Sequence, residues 1–255
     1  MGLMNRLFHM VSDRSRQRKL DLFFHIMKPA PQWRVLDLGG EAPNEHQPHK
    51  QLLDTYPHRD RLVLVNLFYP NVQRAAEVLP GLTAICGNGL QLPFADKSFD
   101  VCYCNAVVEH LFSEANQIAF AAEIMRVSKS WFVTTPNRWF PFEPHMRLPF
   151  ITWFPQKWQH RIGYHFGYHH LRKRYKKGTD FSEVRLISRG QLKALFPGSQ
   201  VVRNGTVGFT PTFIAVGGEV LKREAFGEEG IDVFQKSQAG NHQVLGLAGG
   251  AGRKT

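Results

Sequence analysis

Cysteine is sparse in this chain, and acid is missing from one long stretch of it. The 255 residues hold three cysteines, Cys86, Cys102 and Cys104, too few for a disulfide framework. None is spaced from another Cys or His as zinc ligands are, so no metal site is expected. All three fall in or beside segments expected to be buried strands. Free thiols in a reducing compartment follow, and the cytoplasm is the expected location. No run approaches the ~20 apolar residues of a bilayer span. Met1–Val11 lacks the long apolar centre of a signal peptide. There is no internal repeat. The formal charge is +11, unevenly spread. From Lys129 to Lys177, ten basic residues face the single acid Glu143. Arg14, Arg16, Arg18 and Lys19 form a second basic cluster. Such clusters either meet an anionic partner or form a solvated face.

What is present is a globular composition, 43% hydrophobic, and short apolar runs alternating with helical segments. Ser12 or Asp13 is expected to cap a helix reaching about Lys28, with Leu20, Leu22, Phe23, Ile26 and Met27 on its apolar face. Pro29 and Pro31 end it. Strands are expected at Arg34–Leu38, Leu62–Asn66, near Leu82–Cys86, Val101–Asn105 and Trp131–Thr135. Helices are expected at about His49–Thr55 and Asn71–Val78, over Glu114–Val127 capped by Ser113, and from Ser188 to about Phe196. Gln200–Arg203 and Phe209–Val216 read as a closing antiparallel pair. The alternation defines an α/β fold: a Rossmann-like, doubly wound, mostly parallel sheet with helices on both faces and a C-terminal antiparallel pair. Residues 1–225 are expected to form one domain. Residues 136–180, dense in proline, aromatics and bases, are too long for a plain connection and read as a lid insertion. Residues 226–255 lack a periodic apolar face and read as a disordered tail.

Ligands of such sheets sit at the carboxyl edge of the strands. Arg34-Val35-Leu36-Asp37-Leu38-Gly39-Gly40 is an apolar strand stopping at a tight turn, where glycine lets the backbone pass close to a ligand. Further on, Gly87-Asn88-Gly89-Leu90-Gln91-Leu92-Pro93-Phe94-Ala95-Asp96-Lys97-Ser98-Phe99-Asp100 runs into Val101–Leu111 as strand end, polar loop and new strand. With these residues, the chain resembles class I S-adenosylmethionine-dependent methyltransferases over roughly residues 30–220, within the type 11 group that carries an LPF-x-D-x-SFD stretch. The resemblance implies S-adenosylmethionine as cofactor. It implies that Asp37, Gly39 and Gly40 pass under the methionine part, and that Asn66 and Leu67 hold the ribose. It places Asn88, Gly89 and Leu90 at the adenine, and Asn105 where acceptor meets cofactor, unless Asn105 only caps its turn. Leu92 is expected in the core.

The chain departs from the family's Asp-x-Gly-x-Gly-x-Gly pattern. Glu41 and Pro43 stand where glycines recur, and Pro43 fixes its φ near −65°. Asn66 and Asn88 stand where carboxylates are usual. Charge-assisted hydrogen bonds are roughly twice as strong as neutral ones, so a weaker grip on the cofactor is expected.

Thr135-Pro136-Asn137-Arg138-Trp139-Phe140-Pro141-Phe142-Glu143-Pro144-His145 opens at the same edge and is similar to a TPN-R-aromatic…E-P-H stretch of some family members. His145 is a candidate base for a hydroxyl or amine acceptor, with Glu143 orienting it or pairing with Arg138. Asn137 and Arg138 are candidate acceptor contacts; a rigid proline-bracketed loop is the alternative. His110, after Glu109, is a candidate base or acceptor contact, against a loop-supporting role for the pair. Methyl transfer from a sulfonium needs alignment more than acid or base, so a sparse catalytic signature fits.

These residues point to methyl transfer onto a small-molecule acceptor or one linked to a glycan or lipid, an anionic one suiting the basic strip. Trp139, Trp153, Phe154 and Trp158 beside Lys157 and Arg161 also suit peripheral membrane contact. Nucleic-acid methylation is an alternative, less expected without an appended RNA-binding module or an Asn/Asp-Pro-Pro-aromatic stretch. A non-catalytic methyltransferase-like binding domain is another, recommended by Glu41, Pro43 and Asn66.

Overall fold

The computed structural model describes residues 3–43, 51–143, 148–166, 168–169, 174–175, 184–206 and 209–223. Helix α1 (Leu3–Met27) precedes β1 (Val35–Leu38). The chain continues through α2 (Leu52–Thr55), β2 (Leu62–Asn66), α3 (Tyr69–Val78), β3 (Thr83–Cys86), β4 (Phe99–Asn105), α4 (Glu114–Val127) and β5 (Ser128–Pro136). The insertion holds the short pair β6 (Phe142–Glu143) and β7 (Leu148–Pro149), then α5 (Gln156–Phe166), then the pair β8 (Tyr168–His169) and β9 (Arg174–Tyr175). Finally α6 (Arg189–Leu195), β10 (Gln200–Thr206) and β11 (Phe209–Gly218) complete the sheet.

The seven-stranded sheet has the order β10-β11-β5-β4-β1-β2-β3. Strand β11 is antiparallel to both neighbours, β10 and β5. Hence β10 runs with the parallel set and β11 alone is reversed. Side chains alternate across the strands and divide the core in two. Val35, Leu62, Leu64, Tyr103, Phe132 and Ile214 face one layer with α1. Their neighbours Leu36, Val63, Val65, Cys102, Cys104 and Val133 face the other, with α4 and α6. Helices therefore cover both faces, as the alternation of strands and helices demands.

Several elements differ from expectation. Helix α1 starts at Leu3 rather than at Ser12 or Asp13. No Gly or Pro interrupts residues 3–27, so nothing in the local sequence breaks the helix before Ser12 and Asp13. It ends where Lys28 turns left-handed, φ 42°, with its N–H on the Phe24 carbonyl. The caps at Ser113 and Ser188 form as expected. Ser113 Oγ accepts from Asn116 N at 3.1 Å, and Ser188 makes a reciprocal box with Gln191. Cys86 is exposed, because β3 is the sheet's edge strand, while Cys102 and Cys104 are buried. Ile151 is buried within the insertion, packed by Leu148 and Ile162. The tail expected over 226–255 lies outside the described residues. No helix among the described residues is long and apolar enough to cross a membrane.

Candidate active site

The sheet grows outward in both directions from β1 and β4, which lie side by side. The crevice at their carboxyl ends is where such folds hold ligands. Gly39 caps β1 in a left-handed conformation, φ 83°, and a Cβ there would collide with Val107, just beyond β4. A Cβ on Gly40 would lie 2.6 Å from the Asp37 carboxyl. Gly39 is thus required by the close approach of two strand ends, and Gly40 by the Asp37 carboxyl of its own strand. Asp37 itself is buried, and no donor from the described residues reaches its carboxyl. Burial pushes its pKa from 3.8 up to about 8. A buried acid without a donor, beside a turn stripped of side chains, fits a ligand that brings a cation, such as the ammonium of S-adenosylmethionine.

Asn66 carries out a local task. Its amide donates to the Gly40 carbonyl at 2.9 Å and accepts from Phe68 N at 2.9 Å, stapling the turn after β1 to the one after β2. An aspartate could not donate to Gly40, so Asn suits this geometry and leaves one oxygen lone pair for a ribose hydroxyl. Leu67 follows, exposed. Gly87 N donates to the Asn66 carbonyl, bringing the third strand end alongside. Asn88 Oδ1 accepts from Leu90 N at 2.9 Å. A Cβ on Gly89 would lie 2.5 Å from the Phe120 ring. Leu90 is partly buried against the core, and Leu92 is buried in it.

The LPF-x-D-x-SFD stretch anchors this loop. Glu123 on α4 accepts from Leu92 N at 2.6 Å. The Arg126 guanidinium reaches the Phe94 and Leu92 carbonyls, Asp96 and Glu123. Its hydrogen bond holds the Glu123 carboxyl below its ordinary pKa. Lys97, left-handed at φ 53°, donates to the Met125 and Ser128 carbonyls at the end of α4. Asp100 accepts from Arg34 N and Lys129 Nζ. The charged residues of this stretch fix the loop, and Asn88–Leu90 is what they present.

At the end of β4, Asn105 Oδ1 accepts from Thr134 Oγ1 at 2.8 Å and from Lys19 Nζ at 2.7 Å. Lys19 is buried, not part of a solvated basic face. Burial lowers its pKa to about 8; Glu109 opposes that shift and Arg16 adds to it. Glu109 is fully buried and accepts from Thr135 Oγ1 at 3.1 Å, and its carbonyl accepts from Arg185 N. Lys19 is the residue sequence reasoning missed. The signal was present: three and four residues before Leu22 and Phe23, it lies on the apolar stripe of α1. Ala106 beside Asn105 is left-handed, φ 59°, a strained position at the switch point.

The remaining candidates lie further out. His110 is exposed on a 3-10 turn, Val108–His110. Asn137 Oδ1 accepts from Trp139 N at 2.9 Å, and its N–H donates to the Pro211 carbonyl, so its amide shapes the turn after β5. The Arg138 guanidinium lies 5.5 Å from the Trp139 ring centroid. Glu143 contributes its backbone to β6, and His145 lies outside the described residues. The structure therefore brings together Asp37, Gly39, Gly40 and Asn66, sets Asn88–Leu90 beside them, and joins Asn105 through Val107. Among the described residues no group of three or more His, Cys, Asp or Glu could hold a metal ion.

Residues 46–131 match the family model of a methyltransferase domain. No curated protein matches the chain. Among solved structures, the PH0226 protein of Pyrococcus horikoshii aligns with a TM-score of 0.51 at 16% identity, over 80% of this chain and 90% of that one. A SAM-dependent methyltransferase of Methanosarcina mazei aligns with a TM-score of 0.47 at 14% identity, over 74% and 92%. The N-methyltransferase NodS of Bradyrhizobium japonicum aligns with a TM-score of 0.48 at 12% identity, over 79% and 93%. The fold and glycine turn define a Rossmann-like α/β domain. Within it, residues 46–131 are similar to a methyltransferase domain.

Proposed function

We propose that the chain transfers a methyl group to a small-molecule acceptor, or one carried on a glycan or lipid, by in-line displacement. The observation that carries this reading is the buried Asp37 carboxyl beside the Gly39-Gly40 turn, at the crevice between β1 and β4. When bound there, the sulfonium cofactor supplies an already activated methyl. What the protein adds is alignment. Asp37 receives the ammonium end, the Asn66 staple fixes the turn, and Asn88–Leu90 flanks the adenine. Asn105, held by Lys19 and Thr134, lies at the strand end where the acceptor enters. His145 and Glu143 are the proposed base and its orienting group, for acceptors whose proton must leave; Asn137, Arg138 and His110 are proposed acceptor contacts.

The preference for a small or lipid-linked acceptor over nucleic acid rests on the insertion after β5, which carries exposed aromatic rings and basic residues. Incubation with methyl-labelled S-adenosylmethionine and fractionated cell extracts tests it. Label is expected in the small-molecule or organic-phase fraction. Label confined to RNA or DNA would overturn the acceptor assignment.

A further inference from the structure

The insertion after β5 turns an unusual number of large apolar rings outward. Trp139, Trp153, Trp158, Phe150, Phe154 and Phe166 are each between 47% and 65% exposed, although the segment buries little besides Ile151 and Thr152. The rings are held in place. Trp153 Nε1 donates to the Trp139 carbonyl at 3.2 Å, and the Phe150 and Trp153 rings meet edge to face at 4.9 Å. Gln159 donates to the Phe154 carbonyl at 2.7 Å, pinning the start of α5 beneath them. Lys157 and Arg161 are exposed on the same helix. Between Pro136 and Phe166 the sequence holds four lysines and arginines and one acid, Glu143.

We propose that this face docks on an anionic membrane surface. Monomeric proteins rarely expose apolar patches of such concentration without a partner. Amphipathic rings settle at the headgroup level, and adjacent cations add attraction to anionic lipid that falls off within a Debye length. A face with cations and almost no acid complements a negative surface. Docking would set the crevice beside the bilayer; it does not depend on which acceptor is methylated.

The chain carries its own reporters. Of five tryptophans, Trp131 is buried and Trp33 is covered by Arg223, whose guanidinium lies 4.6 Å from its ring. Trp139, Trp153 and Trp158 are exposed and all lie in the segment proposed to dock. The test is sedimentation of the full chain with vesicles of phosphatidylcholine alone or with about one-third phosphatidylglycerol, while tryptophan emission is followed. The chain is expected to sediment with the anionic vesicles, with a blue shift, and to release as salt rises. The Trp153→Ala/Trp158→Ala and Lys157→Glu/Arg161→Glu pairs are each expected to weaken partition at least tenfold while cofactor-analogue binding stays that of the wild type. Three results would overturn the proposal. The wild type stays in solution with anionic vesicles; it binds neutral and anionic vesicles equally; or both double variants bind as tightly as the wild type, which places attachment elsewhere. A dimer in light scattering together with no vesicle uptake would assign the face to a second copy instead.

Discussion

Replacing Asp37 by Asn isolates the cost of keeping a carboxyl buried at the cofactor turn. Raising its pKa from 3.8 to about 8, at about 1.4 kcal/mol per tenfold change, puts a ceiling of roughly 5–6 kcal/mol on what the ionised form costs the fold. Water entry and relaxation recover part of this, leaving an expected cost of about 2 kcal/mol or more. The sign follows from linkage. The folded protein holds the proton more tightly than the unfolded chain, so the contribution is complete below pH 3.8, is lost as pH rises, and is fully lost above about 8. Asparagine carries no such charge. Thermal melts of the cofactor-free protein should show the Asn variant close to wild type near pH 4. By pH 9 it should be more stable, by about 4–8 °C for 2 kcal/mol in a domain of this size. A difference that stays flat over this range, or an Asn variant that is weaker at pH 9, would refute the reasoning by showing the carboxylate to be paired in the native state.

Three further substitutions probe the surrounding geometry. Asn66→Asp brings the residue closer to the family pattern, yet it removes the donor to the Gly40 carbonyl and faces two oxygens at each other. It is expected to cost about 1–3 kcal/mol in denaturant unfolding and to weaken cofactor-analogue binding; tighter binding would contradict the staple. Lys19→Met removes an ammonium whose burial cost is complete below about pH 8 and relieved toward 10.5. The wild type should gain stability over that interval relative to the variant, and parallel melting curves would show that the lysine is solvated. Gly89→Ala drives a methyl onto the Phe120 ring and should lose about 1–3 kcal/mol, with unchanged stability disproving the close packing.

Much of the fold was legible because its elements rest on local signals. The run Leu62–Asn66 and the Ser113 and Ser188 caps appear as read, since apolar runs and hydroxyl caps act over a few residues. The start of α1 was not legible from capping preference, because Ser12 and Asp13, suited to an N-cap, lie inside a run of residues that no Gly or Pro interrupts. The glycine turn was readable from Asp37-Leu38-Gly39-Gly40, since only glycine tolerates what Val107 and Asp37 leave there. The task of Asn66 was not, because the Gly40 carbonyl that accepts from its amide lies at another strand end. Lys19 was hidden among arginines that share its charge but not its burial. Asn105, to which it binds, is distant in the chain. The charged residues of the LPF-x-D-x-SFD stretch were recognisable as a motif, whereas their role in fixing the loop required the positions of Glu123 and Arg126.

The most direct test is calorimetric titration of the full chain with S-adenosylhomocysteine in buffers of different ionisation enthalpy near pH 7. Saturable binding below millimolar ligand is expected, with proton release as the Asp37 carboxyl ionises against the ligand's ammonium. Asp37→Ala should weaken that binding more than His145→Ala. No saturable heat at millimolar ligand, or a loss with His145→Ala that Asp37→Ala does not produce, would contradict the assignment of the crevice.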